Sequence, residues 1–236
     1  MSYSLGMQVL SFLPLGDWFA LAWFLAAWIG YSWFTAHSMK GSHTLIATTN
    51  RYRGYWMVQA TSRDPRILDG VIVQNLSGTP AFFCSTTIIV MGGLLALLGS
   101  TDKASELVRD MPFAVQTSVL IFDLKILLLI AVFVYAFFRF SWSMRLYTFV
   151  GLVIGSMPDP KEFEAGKFDR TVFAERASRM LGLAAEAFND GLRGYYFAFA
   201  VIAWFFSPFA FAIATALVIV VLYSREFRSA VLDVLR

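Results

Sequence analysis

Four long apolar stretches constrain this chain more than any other feature: residues 18–36, 80–99, 113–138 and 195–223. In hydrocarbon an unpaired backbone N–H or C=O costs several kcal/mol, so a crossing segment must satisfy its own hydrogen bonds, as a helix does. Each stretch has roughly the 20 residues a helix needs to cross a bilayer. Composition agrees. Charged residues make up only 15% of the chain and hydrophobic residues 58%, whereas a soluble domain carries about 25% charged residues. The fold class expected is therefore all-α: a polytopic membrane protein with four transmembrane helices and long amphipathic cytoplasmic extensions, over residues 40–79 and 139–194. The whole chain reads as a single integral membrane domain.

The first stretch, WFALAWFLAAWIGYSWFTA, is uncharged, with Trp18 and Trp33 near its ends, where indoles suit the membrane interface. Asp17 precedes it and is expected at the helix N-cap. The seventeen residues before it hold no Lys or Arg. They lack the basic start of a signal peptide, so this segment is expected to stay as a membrane helix. Residues 38–63 fit a helix better than a strand. Asp64-Pro65 reads as a helix start, Asp at the cap and Pro in the first turn. From there Ile67, Leu68, Val71, Ile72 and Leu76 recur at helical spacing, and the helix is expected to run past Pro80, with a kink, into the second stretch. Ser85, Thr86 and Thr87 can bond back to their own helix, and Gly92-Gly93 would allow close helix packing. After a polar loop over residues 100–112, the third stretch holds Asp123 and Lys125. Ionisable groups at such depth are costly and point to function; being two apart, they face different directions. Residues 146–157 are too short to span. Pro158 and Pro160 stop that helix, and residues 161–194 are expected to form one amphipathic helix capped by Asp169. Its stripe of Glu175, Arg179, Glu186, Asn189 and Arg193 faces away from Phe173, Ala177, Met180, Ala184, Ala187 and Phe188. The last stretch is long enough to require a kink, which Pro208 would supply.

Basic residues set the expected orientation. The first connection carries Lys40, Arg51, Arg53, Arg63 and Arg66, the second only Lys103 and Arg109. The positive-inside rule puts the first and third connections in the cytoplasm and both termini outside, in a plasma (inner) membrane. The charge-rich passage 50–70, NRYRGYWMVQATSRDPRILDG, then shares a membrane face with the stripe ending at Arg193. A polar network is expected there, pairing Asp69 or Asp64 with Arg193 or Arg179, and Glu186 with Arg53 or Arg66. Candidate site residues are thus Arg53, Arg66, Asp69, Asp123, Lys125, Glu186, Asn189 and Arg193.

Several passages carry a resemblance: R-x-x-W-M (Arg53, Trp56, Met57), R-D-x-R-I-x-D (Arg63, Asp64, Arg66, Ile67, Asp69), F-F-x-S-T-T (Phe82 to Thr87), F-x-W-S-x-R (Phe140, Trp142, Ser143, Arg145) and F-N-x-G-L-R-x-Y-Y-F (Phe188 to Phe197). In order and spacing the chain resembles the family 599 of domains of unknown function, found in bacteria and plants. The resemblance implies a four-span membrane protein and supplies no catalytic residue to carry over.

Motifs narrow the function classes. The chain has no HExxH, no CxxC and no Gly-rich phosphate loop before a helix. Cys84 is the single cysteine and His37 and His43 the only histidines, too few for a thiolate cluster or a His-rich metal centre. No enzyme activity, cofactor or metal is expected, and no basic run is dense enough for nucleic acid. The leading expectation is an oligomeric channel or transporter-like protein with a polar cytoplasmic mouth. The alternatives are an accessory subunit of a larger membrane complex and a lipid- or quinone-binding protein. Expected partners are membrane lipids, further copies of the chain and such a complex. Arg53, Arg66 and Arg193 are the candidate contacts to anionic lipid head groups.

Overall fold

The computed structural model describes residues 13–38, 44–100 and 119–235. Among these the chain is all-helical, without strands. The elements are α1 (Leu15–Ser38), α2 (Leu45–Ala60), α3 (Ile67–Leu98), α4 (Val119–Gly155), α5 (Pro160–Glu164), α6 (Arg170–Trp204), α7 (Pro208–Phe227) and α8 (Ala230–Leu235). The polar loop, and residues 113–118 of the third apolar stretch, lie outside the described residues.

The segments Ile67–Leu98, Val119–Gly155 and Pro208–Leu235 are long and apolar enough to cross a membrane. Helix α1 has 24 residues, about 36 Å at the α-helical rise and so long enough, yet it is less apolar. Trp18, Trp23, Trp28 and Trp33 each bring an indole N–H into it.

Local chemistry explains where the helices begin and end, and it moves several expected boundaries. Asp64-Pro65 does not start α3. Its peptide bond is cis, the helix begins at Ile67, and the Arg66 carbonyl accepts from the Gly70 N–H at 3.2 Å. Helix α3 continues through Pro80, and Thr86 and Thr87 bond back to Phe82 and Phe83 in it. Helix α4 runs unbroken from the third stretch through Gly155. The expected single helix over 161–194 is two helices. Asp159 caps α5 with Pro160 in its first turn. Gly166, with φ of 70°, then turns the chain, and Asp169 caps α6 through the Thr171 N–H at 2.8 Å. These hydrogen bonds from Thr171 hold the Asp169 carboxyl below its ordinary pKa.

The chain forms two compact units. The first draws on Met1–His37, Ile88–Val134 and Arg193–Tyr223, the second on Ser38–Thr87, Tyr135–Leu192 and Ser224–Arg236; α1, α3, α4, α6 and α7 supply residues to both. The core of the first is aromatic, around Phe24, Phe133, Phe197, Trp204 and Phe211. Phe24 meets Phe197 edge-on at 5.6 Å, and Trp204 stacks on Phe211 at 5.0 Å. The core of the second packs Met57, Ala60, Tyr147, Val150 and Leu146 against the alanine side of α6, at Ala177, Ala184 and Ala187. That is the apolar side read from the sequence.

Close helix approach occurs at a different glycine from the expected pair. Around a Cβ placed on Gly92 or Gly93 nothing lies within 4 Å, whereas on Gly191 it would sit 2.5 Å from the Phe140 ring. Phe140 is fully buried and packed on Phe83 and Phe188, so its ring cannot swing away. Gly191→Ala should therefore cost about 1–3 kcal/mol, the usual range for overpacking, in reversible unfolding from mixed micelles. Gly92→Ala should change the same measurement by less than about 0.5 kcal/mol, as for a site away from packed features.

Candidate functional site

In the first unit, α6 ends at Trp204 and α7 begins at Pro208. The apolar stretch 195–223 is thus a broken helix and not a continuous kinked one. Ser207-Pro208 is a helix-start pair: the Ser207 Oγ accepts from the Ala210 N–H at 3.0 Å, and Pro208 has no N–H to leave unpaired. A helix end leaves carbonyls without intrahelical donors. Here the Ile202 carbonyl accepts from Phe205 N–H, and that of Ala203 from Phe206 and Ser207. The Trp204 carbonyl accepts from Lys125, whose Nζ stands 2.9 Å away.

Lys125 is 2% exposed. Its ammonium lies 5.5 Å from the centre of the Trp204 ring and 5.9 Å from that of Phe205, within cation–π range. Asp17, 3% exposed, accepts from the Trp204 indole Nε1 at 2.5 Å. Asp17 is therefore not the cap of α1, which begins two residues earlier at Leu15. Trp204 is bonded to a buried cation through its backbone and to a buried anion through its side chain. Lys125 and Asp17 attract each other electrostatically but are not among the ion pairs within 4 Å between described residues. Asp123, two residues from Lys125, is half-buried. Arg193 lies over the Tyr31 ring, 5.8 Å from its centre.

In the second unit the turn between α2 and α3 is closed by Asp69, which is fully buried. Its Oδ1 accepts from Arg63 at 2.5 Å and from the Trp56 indole at 2.7 Å, while Oδ2 is buried without a hydrogen-bond partner among the described residues. Asp69 is thus bonded to Arg63, not to Arg193 or Arg179 as expected. Arg179 faces Glu175 at 3.9 Å on an exposed surface. A partner six residues away needs only the turn to bring it round, which long-range charge matching overlooks.

Among the described residues Arg66 does not pair with a carboxylate either. Its guanidinium donates to the carbonyls of Ala60, Met157 and Pro158 at 3.0, 3.0 and 2.6 Å, so it caps the end of α2 and holds the strap that follows α4. Arg53 donates to Asn50 Oδ1 at 2.6 Å and to Thr49 at 3.1 Å. Burial lowers its pKa, while Tyr147 and Glu186 oppose that shift. Glu186 thus stands within electrostatic reach of Arg53. Asn50 sits beneath Gly182, where a Cβ would come 3.1 Å from its Oδ1. Asn189 is half-buried on α6. The sequence reading missed the ion pair of Arg139 with Asp190 and the hydrogen bond of Ser143 to the Ala184 carbonyl at 2.7 Å. Arg139 at the end of an apolar run was the available signal. Cys84 is half-buried, with its Sγ 3.2 Å from Ser141 Oγ. Among the described residues no group of three His, Cys, Asp or Glu is placed to hold a metal ion.

The family described as "Protein of unknown function, DUF599" matches residues 19–231, and the chain belongs to it. No curated protein and no solved structure matches the chain significantly.

Removing Asp69 strands two donors in a buried turn. Asp69→Ala should cost about 2–4 kcal/mol, between the loss of a charged hydrogen bond and of a buried ion pair. A double-mutant cycle of Asp69 with Arg63 should give a coupling of about 0.5–3 kcal/mol. The cycle of Asp69 with Arg179 should give a coupling near zero. Equal coupling in the two cycles would refute this assignment.

Proposed function

We propose that the protein is a four-span transporter or channel subunit of the plasma (inner) membrane, working as a homo-oligomer. The observation that carries this reading is the buried Asp17–Trp204–Lys125 set at a helix break inside an apolar stretch. Broken helices place unpaired backbone ends and charge at membrane depth, and transport proteins use such points to bind and release ions. Burying an ammonium in apolar surroundings is costly. A merely structural cap of the Trp204 carbonyl could use a neutral donor.

The fourth span in this reading is α1, anchored by its tryptophans. The basic residues of α2 and the following turn favour the cytoplasm, with both termini outside. The Arg53, Asn50 and Glu186 group and the Asp69 turn then form the polar cytoplasmic mouth. Four spans leave little room for a private pathway, which favours a route assembled from several copies.

A second reading, as an accessory subunit of a larger membrane complex, has its own support. Helix α3 leaves large side chains uncovered, among them Ile89 at 75% and Phe82 at 66% exposure. A gentle-detergent purification that recovers only copies of this chain would remove that support.

The transport reading predicts ion or proton flux from purified protein in liposomes under an imposed gradient. Lys125→Met should lower it by at least about tenfold, the weight of a single charge–carbonyl interaction, in protein that still elutes as the wild-type oligomer. Absence of flux for protons, alkali cations and halides alike would contradict transport. Flux that Lys125→Met leaves unchanged would contradict the assigned site.

A further inference from the structure

In the first unit, α1 acts as a ruler for the chain on either side of the helix break. Near its start the Asp17 carboxylate meets the Trp204 indole, and a Cβ on Gly16 would lie 4.0 Å from that of Pro208. Further along, the Phe24 ring lies 5.6 Å from Phe197 and 5.0 Å from Phe211. The neighbouring Trp23 indole donates to the Ala212 carbonyl at 3.3 Å. Towards its end, Trp28 stacks on Phe197 at 5.1 Å and Tyr31 lies beneath Arg193. There Gly30 and Phe34 line one groove with Ile219 and Tyr223.

Along α1 from Gly16 to Phe34, the partners on α6 fall from Trp204 through Phe197 to Arg193. The partners on α7 rise from Pro208 through Ala212 to Tyr223. A continuous helix would set Phe197 and Phe211 about 21 Å apart, at 1.5 Å per residue, too far for one ring to touch both. The end of α6 therefore runs antiparallel to α1, and α7 runs parallel to it. The chain reverses between Trp204 and Pro208. Its backbone is satisfied there without water: the Ile202 and Ala203 carbonyls accept from the turn, and that of Trp204 from Lys125. Membrane depth tolerates a reversal only on that condition.

We infer that residues 193–223 form a helical hairpin that leaves the membrane on the face it entered, placing the C-terminal segment on the same face as α2. In the orientation set by the basic residues of α2, that face is the cytoplasm. A charge count takes this apolar stretch as one crossing and so sets both termini outside; two legs move the C-terminus alone. The tail agrees, since Arg225 and Arg228 follow directly on the apolar stretch and basic residues favour the cytoplasm.

The second unit supplies independent support, because the segments that follow α1 and α7 meet in it. Glu226 Oε1 accepts from the Ile46 N–H at 3.2 Å, and the Tyr52 hydroxyl donates to the Leu235 carbonyl at 3.2 Å. Leu232 of α8 is 1% exposed. Helices α1 and α7 thus deliver their ends to one face. Lys125 and Asp17, both bonded to Trp204, pin the tip of the hairpin. The placement rests on the first unit lying in the membrane and does not depend on transport.

Labelling with a membrane-impermeant maleimide tests this on the full chain in spheroplasts, with Cys84→Ala as background. Val234→Cys reports the C-terminal segment at a side chain that is 83% exposed, and Ala230→Cys repeats the reading at a second exposed position. Gln59→Cys, also exposed, reports α2, and Ser4→Cys the N-terminus. Only variants that elute as wild type are compared. Val234→Cys and Ala230→Cys should stay unlabelled in sealed spheroplasts and react after lysis, as Gln59→Cys does, whereas Ser4→Cys should react in both. Reaction of Val234→Cys and Ala230→Cys in sealed spheroplasts, with Gln59→Cys protected, would overturn the hairpin. If all three react together and Ser4→Cys is protected, the hairpin holds and the orientation given to the whole protein is inverted.

Discussion

The contact between the Lys125 ammonium and the Trp204 carbonyl, at 2.9 Å, is the interaction on which the first unit depends. A helix that stops inside an apolar stretch exposes carbonyls where no water is at hand. Two of those at the end of α6 are satisfied by the turn that follows, and Lys125 satisfies the third. The ammonium in turn must be balanced, and Asp17 lies in the same core, fastened to the Trp204 indole. One tryptophan therefore ties together a backbone end, a cation and an anion contributed by three helices. Its ring stacks on Phe211, itself in contact with Phe24, so the polar set is continuous with the aromatic core.

The second unit follows a different logic. Some of its polar groups close a turn locally, while others, such as Arg139 with Asp190 and Ser143 with the Ala184 carbonyl, join α4 to α6 beside small residues. Asp69 fastens the α2–α3 turn to Arg63 and Trp56, and Arg66 gathers three carbonyls, one at the end of α2 and two just after α4. Alanines at 177, 184 and 187 then let α6 approach the Leu146 to Ile154 side of α4. At Gly191 the approach is so close that a Cβ would meet the Phe140 ring at 2.5 Å. Arg53, half-buried, is attracted electrostatically by Glu186 in the same unit.

Much of this was legible in the sequence, for reasons that can be named. Long apolar runs give helices because the 3.6-residue repeat and the need to pair backbone groups leave few alternatives, and α1, α3 and α4 follow. The alanine side of α6 was visible as periodicity. The family could be recognised because its motifs keep their spacing across nearly the whole chain. What escaped were decisions made by single residues in competition. Ser207-Pro208 and Asp159-Pro160 are helix starts, but within apolar or proline-rich surroundings they read as a kink and a stop. Asp64-Pro65 carries the same pattern and starts no helix, because the chain uses it to turn. Charge matching along the chain pairs Asp69 with distant arginines, whereas its partner Arg63 stands six residues away. Asp17 looked like a cap, and only the fold brings it to an indole 187 residues distant.

Lys125 holds the broken helix in place through the Trp204 carbonyl. Amide hydrogen exchange in lipid nanodiscs measures that directly, comparing wild type with Lys125→Met. Exchange across residues 202–212 should be faster in the variant, with exchange in α3 unchanged. Identical exchange through the break in both proteins would contradict it.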